Sequence, residues 1–260
     1  MGHIRLGNLP RSRKWRQVIA LIGEGASAPD VAALTLSASE RGLAGASDDA
    51  GLVHSMWLLT QVAQASRKED FVAGLRELGL AVSDEPTLHD VVAHFSEAVD
   101  DEIRQRGGRS DLGEMAQLSA AESLTRMCAS HLGTLFGTTT EDVQSALRRF
   151  STTKGFSQLS REFFSRLTFR YLSYFLSREM SNHVGGNRRF FNLGEHTEFL
   201  KALEVHSRQA SRIVEEFAGG WYSKTAYEEG ITKDKTAGFV HVALKKVGAE
   251  LKKGGEGHEH

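Results

Sequence analysis

Proline constrains this chain most: Pro10, Pro29 and Pro86 are its three prolines, and none follows Pro86 in a sequence of 260 residues. A helix tolerates proline only in its first turn, because the ring removes an amide donor and clashes with the turn before it. Long proline-free stretches carrying Ala, Leu, Glu, Lys and Arg are therefore free to be helical. Apolar residues recur at three- and four-residue spacing in nearly every segment, and alternating runs bounded by turn residues are almost absent. The expected fold is all-α, a multi-helix bundle of about ten helices. A smaller N-terminal helical unit with a basic arm (1–82) is expected to pack on a larger helical bundle (87–253), with a flexible tail at 254–260.

Local signals place the helix ends. The first helix is expected at 12–23, and Ser27 with Pro29 reads as the cap and first turn of the next, running to about 40. A third covers 49–65. Ser66-Arg-Lys-Glu69 and Thr138-Thr-Thr-Glu141 read as capping boxes. Ser83-Asp-Glu-Pro86 is turn-forming, and Thr87 caps a helix that runs to about Gln105. Further helices are expected at 111–136, with a kink near Ser119, and at 157–183, 196–218, 222–229 and 234–252. Gly185-Gly186 and Gly219-Gly220 read as helix stops.

A formal net charge of −1 argues against a protein that coats nucleic acid or membrane by bulk electrostatics. The charge is nevertheless uneven: residues 83–150 carry 6 basic and 12 acidic groups, while 151–260 carry 17 and 13. Asp84–Glu102 contains no Lys or Arg; it reads as a solvated helix face, with an acidic docking surface as the alternative. Cys128 is the one cysteine, so no internal disulfide and no multi-cysteine zinc site can form. Its apolar helical setting, Leu124-Thr-Arg-Met-Cys-Ala, reads as a buried small hydrophobe. No apolar run approaches the length of a membrane span, and the N-terminus lacks a secretory signal's apolar stretch, so a cytoplasmic location without membrane contact is expected.

The segment 156–212 stands out because it holds ten of the 21 aromatics together with 9 basic residues. Aromatics interleaved with cations stack bases and hold phosphates in single-stranded nucleic-acid binders. Helical projection favours a core helix instead. Phe163, Leu167, Tyr171 and Tyr174 form one stripe, whereas Arg166 and Arg170 fall on another face. Arg178 lies near the apolar stripe and needs a partner there. The connection that follows packs Asn182, His183, Asn187, Arg188, Arg189, Glu195 and His196 into fifteen residues with two freeing glycines. Polar loops beside a rigid helix are where ligands and partners bind, and the next helix's N-terminal amides suit an anion.

The spacing Arg178-x4-His183 resembles the nuclease motif of the HEPN family, small all-helical ribonucleases, and that resemblance would make Arg178 and His183 catalytic. Allowing four to six intervening residues, roughly two or three such Arg–His pairs arise by chance on this composition, and Arg126/His131 and Arg189/His196 are two more of them. Histidine spacings fit no metal motif, and His206 lies on an apolar stripe as a core residue. No phosphate-loop or nucleophile-elbow pattern occurs, so neither metal nor cofactor is expected. Arg5, Arg11, Arg13, Lys14 and Arg16 form a basic arm suited to nucleic acid, an acidic partner, or the chain's own Asp84–Glu102. Gly219-Gly-Trp-Tyr-Ser-Lys-Thr-Ala-Tyr227 reads as an aromatic anchor for the last helices, with an interface hot spot as the alternative.

The leading expectation is a non-enzymatic interaction subunit that binds a protein partner or a second copy of itself. The alternatives are a nucleic-acid-binding accessory protein using the arm and 166–189, and a helical ribonuclease.

Overall fold

The computed structural model describes residues 9–106, 108–132, 139–186, 188–228 and 230–256, apart from the side chains at 41, 44, 178, 255 and 256. Among the described residues helices occupy Arg13–Gly23 (α1), Ala28–Ala38 (α2), Glu40–Ala44 (α3), Ala50–Ala65 (α4), Phe71–Glu77 (α5) and Leu88–Gln105 (α6). They continue with Asp111–Leu132 (α7), Thr140–Arg148 (α8), Thr153–Met180 (α9), Leu193–Ala210 (α10), Arg212–Glu228 (α11) and Lys233–Glu256 (α12). Among the described residues the β-type pairing is one isolated parallel bridge, Val184 to Phe190. The fold is an all-α multi-helix bundle, as the proline and periodicity argument requires. No helix among the described residues is long and apolar enough to cross a membrane.

Two of the expected caps form as read. The Ser27 hydroxyl accepts from the Asp30 amide with proline in the first turn of α2, and Thr87 and Asp90 cap α6 reciprocally. Two others shift. Ser66 closes α4 instead of opening a helix: its hydroxyl donates to the Ala63 carbonyl at 2.7 Å, and Asp70 caps α5 by accepting from the Ala73 amide at 2.8 Å. The box before α8 pairs Thr139 with Asp142, one residue later than expected, and Thr138 lies outside the described residues. Helix α7 runs unbroken through Ser119, whose hydroxyl donates to the Met115 carbonyl at 2.7 Å; Phe136 lies outside the described residues.

The largest boundary difference lies near the C-terminus. The helix expected at 196–218 divides at Ser211, and Gly219-Gly220 sits inside α11 instead of ending a helix. Gly219 is buried where α11 crosses the start of α9, and a Cβ there would collide with the Thr153 carbonyl oxygen and the Ser157 hydroxyl. Glycine at this position permits contact between two helices.

The apolar side chains gather into two clusters. The main one joins α4 (Met56, Leu59), α6 (Phe95, Val99), the first half of α9 (Phe156, Phe163, Leu167), α11 and α12 (Val240, Val247). The second joins α1 (Trp15, Val18, Ile22), α2 (Val31), the end of α9 (Leu172, Leu176, Met180) and α10 (Phe199, Leu203). At 28 residues α9 is roughly 42 Å long, so a single helix serves both clusters. Tyr171 is buried on the expected stripe, and its hydroxyl donates to the Ser39 carbonyl at 3.0 Å. Cys128 is buried in the main cluster, where desolvation pushes its thiol up to about 12; a thiol held protonated in this way is chemically inert.

Candidate functional site

Helix α9 ends at Met180, and a 3-10 turn over Ser181–His183 leads into a tight loop closed by a parallel bridge between Val184 and Phe190. The Phe190 amide donates to the His183 carbonyl at 2.9 Å, and the Gly185 amide donates to the Phe190 carbonyl at 2.8 Å. Gly185 and Gly186 turn the chain with φ of +90° and +61°, a region that side chains rarely enter. The far end is fixed by Asn192, whose side chain accepts from the Glu195 amide at 3.1 Å, while the Glu195 carboxylate accepts from the Phe191 amide at 2.8 Å. The chain's own side chains thus cap the α10 N-terminus that the sequence marked as suited to an anion.

The polar residues singled out in this connection divide by what they touch. His183 packs against Gly23 at the end of α1, with Nε2 3.5 Å from a Glu179 carboxylate oxygen. Arg189 lies over Gly25, its guanidinium 5.1 Å from the centre of the buried Phe190 ring. The His196 ring meets the same phenylalanine at 5.5 Å, as does Phe199. These side chains lock the loop to α1 and α10. Asn182 and Arg188 face solvent. Asn187 lies outside the described residues; Arg178 stands in the last turn of α9, and its side chain lies outside them too.

Beyond the loop two large apolar side chains also face outward. Phe191 and Leu193 are each 71% exposed. Near them opens a depression of about 570 Å³ lined by Ala28, Arg189, Phe190, Gly194, Glu195, Glu198, Phe199 and Ala202. The sequence reading chose this connection for its polar residues, yet His183, Arg189, Glu195 and His196 hold it together while Phe191 and Leu193 project. A signal was available in the Phe190-Phe191 pair. Neighbouring residues of extended chain point to opposite sides, so one ring of such a pair buries and the other does not.

Arg166 and Arg170 take part in an ion-pair network between α7 and α9. Arg166 is 11% exposed and contacts Glu122 and Glu162, the latter at 2.8 Å; Arg170 meets Glu122 at 2.6 Å. Burial alone would raise the Glu122 carboxyl, but hydrogen bonds and charge from both arginines outweigh it and hold the group below its ordinary value. Both guanidinia are therefore matched within the fold. In the basic arm, Arg11, Arg13 and Arg16 face solvent, and Lys14 donates to the Ser37 carbonyl at 2.9 Å with Glu40 at 3.9 Å. Lys14 thus meets α2 and α3. Residues of the acidic stretch are paired otherwise: Arg76 with Asp84 at 2.8 Å, Arg109 with Asp100 at 3.2 Å, and Lys233 with Glu102 at 2.7 Å.

One titratable cluster has no mark in the sequence. His54 is buried on α4 with its ring 5.2 Å from that of Trp57, over which the Lys233 ammonium also sits at 5.2 Å. Desolvation, reinforced by the Lys233 charge, holds the imidazole down at about 4. His206 is buried as expected of a core residue and packs against Gly254 of α12. In the aromatic junction, Tyr222 stacks on Phe156 and Trp221 on Phe239, both at 4.2 Å, whereas Tyr227 is exposed. Among the described residues no three His, Cys, Asp or Glu side chains are grouped so that they could hold a metal ion.

No family model, curated protein or solved structure matches this chain.

Proposed function

We propose that this chain is a non-enzymatic binding protein that engages a partner protein through the face carrying Phe191 and Leu193. The observation that supports this reading is the exposure of both side chains, 71% each, on a backbone pinned by hydrogen bonds and aromatic packing. Scattered exposed hydrophobes are ordinary, but a large aromatic and a leucine two residues apart, beside an apolar depression, form a patch. Rigid aromatic anchors with a polar rim are what interface hot spots consist of. Arg188 and Glu198 supply such a rim. The partner expected is one with an apolar pocket for Phe191 and a ridge that enters the depression floored by Phe190 and Phe199. Because the loop is held in place before contact, little ordering entropy opposes binding.

The test compares the native chain, the Phe191→Asp/Leu193→Asp double variant and a Tyr227→Asp control, all against the partner recovered with the native chain. The double variant is expected to lose affinity by at least about 100-fold, since two anchors of about 2 kcal/mol each are removed. The control is expected to bind like the native chain, and thermal unfolding of all three is expected to coincide. Sedimentation of the native chain distinguishes a second copy from a different protein. A double variant that keeps its partner at native affinity, or a native chain that neither self-associates nor retains any protein, contradicts the proposal.

A further inference from the structure

We infer that the cleft between α2, α3 and α12 is a binding site for a small amphiphile with an anionic head and an apolar tail. The cleft holds about 420 Å³, within the range of small-molecule sites. Its walls are Leu36 of α2, Leu43 of α3, Ala46 of the turn that follows, and Leu244 and Gly248 of α12. Leu36, Leu43, Leu244 and Gly248 also border an inner cavity of about 20 Å³ that reaches Leu167 and Tyr171, so the apolar lining continues inward. Gly248 matters to this shape, because a Cβ there would stand 3.3 Å from Leu36 Cδ2 and narrow the floor.

The rim has a different character from the floor. Lys245, Lys252 and His241 line it from α12, against the single acid Glu40. Glu40 stands 3.8 Å from the Lys252 ammonium and 3.9 Å from that of Lys14, both beyond hydrogen-bond length. The rim therefore carries more positive charge than its acid offsets. An apolar recess with a few convergent polar groups at its mouth is the usual form of a ligand site. The excess of cations selects the sign of the head group. The volume of the recess, about 420 Å³, suits a small molecule.

Laurate is the probe, titrated calorimetrically below its micellar concentration. One saturable site is expected, with a dissociation constant on the order of 10 µM. Each buried methylene is worth about fourfold in affinity, so octanoate is expected to bind at least about tenfold more weakly. Dodecyltrimethylammonium, with the same tail and the opposite charge, is also expected to bind at least about tenfold more weakly than laurate. Reversing the rim with Lys245→Glu/Lys252→Glu should invert that head-group preference, and these exposed substitutions leave the core intact. Gly248→Leu should fill the floor and abolish binding of both probes, with circular dichroism confirming that the helices persist.

The Phe191→Asp/Leu193→Asp variant is expected to bind laurate like the native chain, which separates this site from the proposed protein-binding face. Absence of saturable laurate binding below about 1 mM overturns the inference. So does a head-group preference that survives reversal of the rim charges, or laurate binding that the Phe191→Asp/Leu193→Asp variant removes.

Discussion

Gly219→Ala is expected to destabilise the folded chain by about 3 kcal/mol, while Gly220→Ala, at the next position, is expected to stabilise it by roughly 0.5–1 kcal/mol. The two glycines share a helix, and a composition argument treats them alike. At Gly219 a Cβ would collide with the Thr153 carbonyl oxygen, the Ser157 hydroxyl and the Thr153 methyl. The first of these is backbone in the opening turn of α9 and cannot swing aside. Accommodation would have to move α11 away from α9 and disturb the Phe156–Tyr222 stack, whose rings sit 4.2 Å apart. At Gly220 the same Cβ meets open space, so alanine brings only its better helix propensity. Urea-unfolding midpoints at pH 7 measure both. Equal, small effects would mean that α11 does not cross α9 at Gly219.

Acid is expected to expose the cost of keeping His54 neutral. Its imidazole titrates near 4 in the folded chain, against 6.5 in the unfolded one. Between those values the unfolded chain binds more protons, so stability rises with pH across the window and is lost as pH falls from 6.5 towards 4. Above 6.5 neither state carries the proton, and the effect vanishes. At 1.36 kcal/mol per pH unit the loss attributable to His54 approaches about 3 kcal/mol at pH 4. His54→Leu removes the titrating group while keeping an apolar side chain of similar bulk beside Trp57. Plotted against pH from 7 to 4, the difference in unfolding free energy between variant and native chain is expected to shift by that amount in the variant's favour. Parallel curves would show that His54 gains its proton without cost, and hence that it is not buried beside Lys233.

Features that depend on neighbours in sequence were readable from the chain alone; those that depend on distant partners were not. Thr87 with Asp90, and Ser27 with Pro29, are local devices whose two halves lie within one turn, and both form as read. Ser66-Arg-Lys-Glu69 offered the same kind of local signal. There Asp70 provided a competing cap a few residues on, and Ser66 was already held by the Ala63 carbonyl. Gly219 misleads for a different reason: a glycine that ends a helix and one that lets two helices touch look identical until the partner, Thr153, is known. His54 lies among apolar residues on α4, and the Lys233 and Glu102 that surround it come from α12 and α6.

The candidate site follows the same division. The connection 182–196 could be selected from its glycines and polar residues, but the direction each side chain takes could not. That direction is set by Gly23 and Gly25 at the end of α1, which leave room for His183 and Arg189 to pack inward. Once those two and His196 hold the loop, Phe190 fills the space among them, and Phe191 and Leu193 are left outside. The segment's basic residues follow similar logic. Arg166 and Arg170 lie off the apolar stripe, as projection shows, but Glu122 of α7 reaches both and, together with Glu162, offsets their charge.

Placing a photoreactive benzoylphenylalanine at position 191, and in parallel at the still more exposed but unrelated position 227, asks whether a partner sits on this face. After irradiation in the native host, position 191 is expected to yield one discrete cross-linked protein species that position 227 does not. The adduct should disappear when Leu193→Asp is added. Identical background at both positions, or a position-191 adduct indifferent to Leu193→Asp, would contradict the assignment of this face as the site where the protein meets its partner.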